Sequence, residues 1–312
     1  MAALVEVEGL VKRYGDLKAV DGLSFQVKRQ QIFALVGPNG AGKTTSVECV
    51  EGLRRPDAGE LKVLGLDPAR DHDELYRRLG VQLQENSMYS RIRVGEALRL
   101  FASFYDQPIA PRRLLEELDL REKEGTYYAK LSGGQKRKLL TAVALVGNPE
   151  LVILDEPTSG LDPQSRRDFW TSLRRYRDDG LTILLTTHDM QEAEEHCDRV
   201  SIIDRGRVVR TGSPRQLLDS YRLGIRVTAS LAGRRFDTRK LEGREGITRV
   251  EVVGDQVFAY GTGERLLPEV AGVFQRHGLE DIGSRQAGLE DLYLILTGRD
   301  FEQEHHDCEE VA

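Results

Sequence analysis

The chain has 312 residues, a net charge of −6 and a sequence pI near 5.7, with 39% hydrophobic and 31% charged residues. That balance suits a folded protein of two domains and gives no general attraction to nucleic-acid phosphates or an anionic membrane surface. Its longest apolar runs, such as Leu151–Leu154, fall far short of the roughly 20 residues a spanning helix requires, so the chain is not expected to cross a membrane.

In chain order, the segment from Leu4 to Gly15 alternates apolar and acidic residues, Leu23–Val27 continues in the same style, and Gln31–Gly37 reads as a short buried strand running into a glycine loop. A helix is predicted from Lys43 to Gly52, then a turn through Arg54–Glu60 and a strand at Leu61–Leu64. From Glu85 to Gly147 the pattern is helical, with apolar residues three and four apart in Val94–Tyr105, Pro111–Leu120 and Gly134–Val146. Buried strands return at Glu150–Glu156 and Leu181–Thr187 around a helix over Pro163–Asp179, the rhythm of a parallel sheet, and Val200–Gly212 reads as a hairpin over Arg205 and Gly206.

Beyond about Ser220 the organisation changes. Gly224–Leu231, Ile247–Gly254 and Val257–Gly263 read as short strands, and Arg265–Gly278 and Gly288–Arg299 as helices. The expected layout is a large α/β domain over 1–220 with a helical subdomain at about 85–147, a small α+β domain over 221–300, and a polar tail over 301–312. The start of the chain has neither a basic leader nor a cleavable apolar core, and Cys49, Cys197 and Cys308 are scattered, which together point to a reducing cytoplasm. His305, His306 and Cys308 in the acidic tail lack the second ligand pair that would frame a metal.

Gly37–Thr44, "GPNGAGKT", is a complete phosphate loop between a predicted strand and a predicted helix, the context that pattern requires. Its glycines let backbone N–H groups surround a β-phosphate at a helix N-terminus, Lys43 reaches the β- and γ-phosphates, and Thr44 is a ligand for Mg²⁺. The expected contact set runs through Gly37, Pro38, Asn39, Gly40, Ala41, Gly42, Lys43, Thr44 and Thr45. The apolar strand "LVILDE" ends in two acids: Asp155 is placed to hold Mg²⁺ through water, and Glu156 to orient or deprotonate an attacking water.

With these motifs, "LSGGQ" at Leu131–Gln135, "LVILDEPTSGLDP" at Leu151–Pro163 and "LLTTHDMQEAE" at Leu184–Glu194 stand in the order and spacing of the ATP-binding-cassette family, and the first two thirds of the chain resembles it. The resemblance implies a phosphate-loop ATPase fold with a mixed sheet, N-terminal antiparallel strands and a helical subdomain. It implies two ATP molecules shared between two cassettes, a homodimer or a paired cassette, in which Ser132, Gly133, Gly134 and Gln135 of one contact the γ-phosphate held by Lys43 of the other. It further implies that Tyr14 stacks on adenine, that Gln84 rather than the nearby Gln82 touches Mg²⁺ and the water, that Asp162 links the two sites or caps the helix after it, and that His188 contacts the γ-phosphate. Where many relatives carry an N-capping threonine this chain has Arg93, in the segment where the family meets its membrane subunit.

The resemblance also implies what the ATP drives. The chain has neither the paired cassettes nor the long coiled-coil insertion of soluble relatives that act on nucleic acid or ribosomes, so separate polytopic membrane subunits are the expected partners and nucleic acid is not. The C-terminal "GLEDLYLILTGR" is similar to the tail of exporter ATPases of the daunorubicin-resistance type, which serve drugs, antibiotics, lipids or polysaccharides, with import the alternative. Leu289, Leu292, Tyr293 and Leu296 recur at helical spacing there, an apolar face for the cassette, for the dimer mate, or for the small domain's own core.

Overall fold

Alternating burial along β1 (Ala3–Tyr14) and β2 (Leu17–Lys28) lets the two strands pair antiparallel and turn one face to the core; β3 (Ile32–Val36) is buried along its whole length and leads into the glycine loop. The computed structural model describes residues 3–83 and 88–299, so Gln84 and the tail residues His305, His306 and Cys308 lie outside the described residues. After the loop come α1 (Lys43–Val50), β4 (Ala58–Val63), α2 (His72–Leu75) and β5 (Leu79–Gln82). The helical stretch follows as α3 (Val94–Ala102), α4 (Pro111–Glu117) and α5 (Gly133–Leu145). Then β6 (Leu151–Asp155), α6 (Pro163–Asp178), β7 (Thr182–Thr187), α7 (Met190–His196), β8 (Arg199–Asp204) and β9 (Arg207–Gly212) complete the alternation.

Two sheets result. β4 joins the first pair in the order β2-β1-β4, and a six-stranded sheet runs β5-β6-β7-β3-β8-β9 with its first five strands parallel. α1 is sandwiched between them: Val47 and Val50 share one core with Val7, Leu23 and Phe25 of the antiparallel sheet and with Phe33, Leu35, Ile153 and Leu184 of the parallel one. Burial of this kind stabilises by about 25 cal/mol per Å² of apolar surface, and it fixes the phosphate loop because the loop enters directly from β3 and leaves as α1. β3 lies between β7 and β8, and β6 is next to β7, so the C-terminal ends of β3, β6 and β7 open on one edge.

The remaining elements are α8 (Pro214–Tyr221), β10 (Ile225–Ser230), β11 (Ile247–Val253), β12 (Gln256–Gly261), α9 (Leu266–Arg276), β13 (Glu280–Gln286) and α10 (Leu289–Thr297). Among the described residues the chain forms two compact units, one reaching Asp189 and resuming over His196–Thr211, the other made of Met190–Glu195 and the chain from Gly212 on. In the second unit an antiparallel sheet of order β11-β12-β10-β13 packs Val227, Ala229, Val257 and Ala259 against Val270 and Phe274 of α9. Buried Asp291 of α10 takes hydrogen bonds from Arg226 at 2.9 Å, Tyr260 at 3.1 Å and the Gly288 N–H at 2.9 Å. α10 packs on α8 of the same unit; Leu289, Leu292 and Tyr293 are buried and Leu296 is half-buried.

Arg93 is the residue before α3, and the structure shows what replaces the capping hydroxyl. Glu96 accepts the Arg93 N–H at 2.9 Å, half of a capping box, while the guanidinium donates to the Gly125 carbonyl at 2.8 Å and lies over the Tyr127 ring at 4.6 Å. The arginine therefore ties the start of α3 to the loop ahead of α5.

Glu51, just past α1, is fully buried, and neither carboxylate oxygen has a hydrogen-bond partner. Burial, reinforced by the charges of Asp155 and Glu48, pushes its carboxyl up to about 9 from 4.5. The folded chain thus keeps a proton that the unfolded chain loses above about pH 4.5, and stability falls as pH rises from there towards 9, by at most roughly 1.4 kcal/mol per pH unit. Glu51→Gln is expected to raise the denaturant midpoint of the nucleotide-free protein at pH 8 and to lose that advantage by pH 5. Parallel pH profiles for the two proteins would rule out a neutral buried acid.

Candidate functional site

At Gly37 and Gly42 the glycine loop is held by backbone contacts that leave no room for a side chain. Gly42 caps α1 with φ of +96°, and a Cβ there would lie 2.3 Å from the Ala19 carbonyl oxygen; a Cβ on Gly37 would lie 2.2 Å from the carbonyl oxygen of Ile203. The Gly206 N–H donates to the Ala41 carbonyl at 2.9 Å, so the hairpin between β8 and β9 buttresses the loop. An open cavity of about 440 Å³ lies against it, lined by Tyr14, Leu17, Ala19, Asn39, Gly40, Gly42, Lys43, Thr44, Thr45 and Glu156. Tyr14 stands at its mouth, 41% exposed, with the Arg54 guanidinium 5.4 Å from its ring centre.

Inside, Lys43 is nearly fully buried and donates to the carbonyls of Gly37 at 2.8 Å and Pro38 at 3.1 Å, with Glu156 3.6 Å away. Desolvation lowers the lysine's pKa against the opposing pull of Glu156 and Asp155. Burial alone would push the Glu156 carboxyl up; the hydrogen bond from His188 at 2.5 Å and the charges of Lys43 and His188 outweigh it and hold the carboxylate below its usual range. The same hydrogen bond raises His188 above the ordinary imidazole value, against its partial burial. The three groups form a chain, Lys43, Glu156, His188, with the carboxylate ionised at the centre.

Asp155 is 2% exposed and is held by two hydroxyls, those of Thr186 and Thr44. Burial raises its pKa above the usual value despite them. Thr44 and Asp155 together offer hard oxygen donors at the start of α1, a donor set that fits Mg²⁺ beside phosphate oxygens. No cluster of three or more His, Cys, Asp or Glu suited to a metal occurs among the described residues, and a site completed by a ligand's own phosphates does not need one.

Glu156 has φ of +50°, a left-handed conformation that costs an L-residue roughly 1–2 kcal/mol. Its N–H donates to Thr186 Oγ1 at 3.0 Å.

The other expected residues fall in a separate part of the first unit. Ser132 caps α5: its hydroxyl accepts the Gln135 N–H at 3.2 Å, and Gln135 Oε1 accepts the Ser132 N–H at 3.1 Å. Ser132 and Gly133 are exposed, with open space where a Gly133 Cβ would be, while Gly134 backs onto Leu161. None of Ser132, Gly133, Gly134 and Gln135 lines the Lys43 cavity of its own chain. Asp162 caps α6, accepting the N–H groups of Gln164 at 3.1 Å and Ser165 at 3.0 Å. Gln82 is fully buried with its amide oxygen taking the Thr141 hydroxyl, which occupies it structurally.

Sequence reasoning did not single out Leu17 and Ala19 in the cavity wall, nor Thr186. The first two belong to a hairpin that no motif marks. Thr186 carried no signal of its own, standing beside Thr187 in a strand that also holds Thr182.

Residues 20–159 match the family profile described as ABC transporter, and residues 237–298 match one described as the C-terminal domain of the nodulation factor export protein NodI. The chain is 38% identical over 305 residues to the Nod factor export ATP-binding protein I of Ralstonia nicotianae, covering 95% of this chain and 94% of that one. Among solved structures, an ATP-binding subunit of an ABC transporter superposes with a TM-score of 0.65 at 31% identity, over 70% of this chain and 93% of its own. The dimeric post-hydrolysis state of the ATP-binding cassette MJ0796 bound to ADP and Pi shares the fold, with a TM-score of 0.62 at 24% identity over 67% of this chain and 98% of that one.

Gly42→Ala is expected to lose stability to denaturant, by about 1–3 kcal/mol from backbone strain alone and more from the clash with Ala19. An unfolding curve superimposable on that of the parent would mean that the loop can move away from the β1–β2 hairpin freely.

Proposed function

The chain belongs to the ATP-binding-cassette transporter family, as the ATP-hydrolysing subunit of an exporter, and from that premise we propose which residues carry the reaction. ATP enters the Lys43 cavity with adenine stacked on Tyr14 and its phosphates wrapped by Gly37–Thr45. Lys43 then exchanges the carbonyls of Gly37 and Pro38 for the β- and γ-phosphates, so the loop's internal bonds are replaced by bonds to ligand. Thr44 and Asp155, with Gln84 from outside the described residues, hold Mg²⁺, which when bound neutralises phosphate charge. Glu156, ionised and released from Lys43, accepts the proton of the attacking water, and His188 steadies the γ-phosphate and the carboxylate together.

The observation that carries this reading is the central position of the Glu156 carboxylate, at the end of β6 and on the wall of the phosphate cavity, between one cation and one imidazole. The exposed end of α5 supports a second half of the site. Ser132, Gly133, Gly134 and Gln135 present a helix N-terminus to solvent, suited to the γ-phosphate held by a second cassette, with Asp162, next to the Leu161 that Gly134 backs onto, linking the two sites at the same interface. Closure of two such cassettes on two ATP molecules, and reopening after hydrolysis, is the step that would move separate membrane subunits. No helix among the described residues is long and apolar enough to cross a membrane, so attachment at the cytoplasmic face would be peripheral, through those subunits. The match of the C-terminal segment to the NodI domain makes Nod factors the first cargo to test among the drugs, antibiotics, lipids and polysaccharides that exporters of this kind serve.

Glu156→Gln is expected to lower ATP turnover by about 100-fold or more while ATP binding is retained and an ATP-dependent dimer accumulates in size-exclusion chromatography. Unchanged turnover would remove Glu156 from the base role. Affinity capture of this variant with ATP from detergent-solubilised membranes should bring a polytopic membrane protein in stoichiometric amount; recovery of ribosomal proteins instead would overturn the transport reading.

A further inference from the structure

We propose that Thr186 is a positioning residue for hydrolysis, acting through Glu156, with its own hydroxyl oriented by Asp155. In the parallel register of β6 and β7, Asp155 lies opposite Thr186, and there the backbone ladder ends. The next residue, Glu156, turns out of the sheet with φ of +50°, so its N–H has no carbonyl across from it in a region where the residue is 6% exposed. A buried N–H of that kind needs an acceptor. The Thr186 hydroxyl supplies one at 3.0 Å and gives its own proton to Asp155 Oδ1, and the side chain is fully buried while doing both. One hydroxyl therefore substitutes for the missing rung of the sheet and joins the backbone of one acid to the carboxylate of the other.

One residue past the end of the same strand stands His188, which holds the Glu156 carboxylate at 2.5 Å. Glu156 is thus clamped at two points from one side, its peptide by Thr186 and its carboxylate by the imidazole. Removal of the hydroxyl leaves the Glu156 N–H unsatisfied and frees that peptide to relax out of the left-handed conformation, which swings the carboxylate away from the cavity wall. Tyr14, the glycine loop and Lys43 do not depend on this contact, and Asp155 keeps the Thr44 hydroxyl, so ATP affinity is set elsewhere. The inference rests on Glu156 being the base, and the experiment separates the two.

Thr186→Val keeps the shape and removes the hydroxyl; Thr186→Ser keeps the hydroxyl. The valine variant is expected to turn over ATP about 10- to 100-fold more slowly, the effect of a misplaced reacting group, with unchanged KM and unchanged affinity for trinitrophenyl-ATP measured by fluorescence. Serine is expected to restore most of the rate. In a Glu156→Gln background the valine substitution is expected to add almost nothing, because the group it positions is already gone. Wild-type turnover by Thr186→Val, equal slowing by valine and serine, or a loss of nucleotide affinity in step with the rate would each overturn the proposal. So would the same fractional slowing with and without Glu156. Failure of the base assignment itself reads differently, as normal turnover of Glu156→Gln alone. Should the valine chain not fold, Thr186→Ala against Thr186→Ser gives the same contrast.

Discussion

Two adjacent buried carboxylates are the constraint on which the rest depends. Asp155 and Glu156 are 2% and 6% exposed, and burial pushes both towards the neutral form. They answer it differently. Glu156 has the Lys43 cation on one side and the His188 imidazole on the other and is held below the usual range, whereas Asp155 has hydroxyl partners and sits above it. The asymmetry follows from where each strand ends: β6 delivers both acids, β7 supplies Thr186 and His188, and β3 leads into the loop that supplies Lys43 and Thr44. Three parallel strands ending on one edge are therefore enough to assemble every charged group of the cavity, and the core around α1 keeps those strands in register.

Much of this was legible in the sequence, for reasons that can be given residue by residue. Gly37–Thr44 is unusually informative because positive φ and close backbone approach leave glycine as the only choice at Gly42, so the pattern encodes geometry directly. Leu151–Asp155 reads as a strand because a fully buried parallel strand is an unbroken apolar run. A helix cap was equally visible at Asp162, where a short oxygen-bearing side chain stands one residue before the first turn. The phosphate-loop resemblance and the cassette fold then agree with the solved structures it superposes on.

What was not legible is polar edge structure and long-range pairing. β13, with the sequence EDIGSRQ, is exposed nearly throughout and has no alternation to betray a strand; it exists because β10 offers a free edge. β5 is four residues long and follows two arginines, too short for any period to emerge. α8 carried its signals openly, Ser213 as cap and Pro214 at the first position, but the eight-residue helix falls where the composition changes and attention goes to the boundary. Thr186 could not be singled out at all from its neighbours, since its value lies in being opposite Asp155, a fact of register and not of local sequence.

The cap on α5 separates two demands that would otherwise compete. Holding the helix together uses a lone pair on the Ser132 oxygen, which accepts from Gln135. Holding the phosphate proposed for it would use the hydroxyl proton, which that arrangement leaves unspent. Helix formation and ligand capture thus draw on opposite ends of one O–H group, and the exposed turn at Ser132 can be fully ordered before any nucleotide arrives. An aspartate at this position could accept from Gln135 equally well and would repel a phosphate, so a serine here suits the proposed ligand as well as the start of the helix.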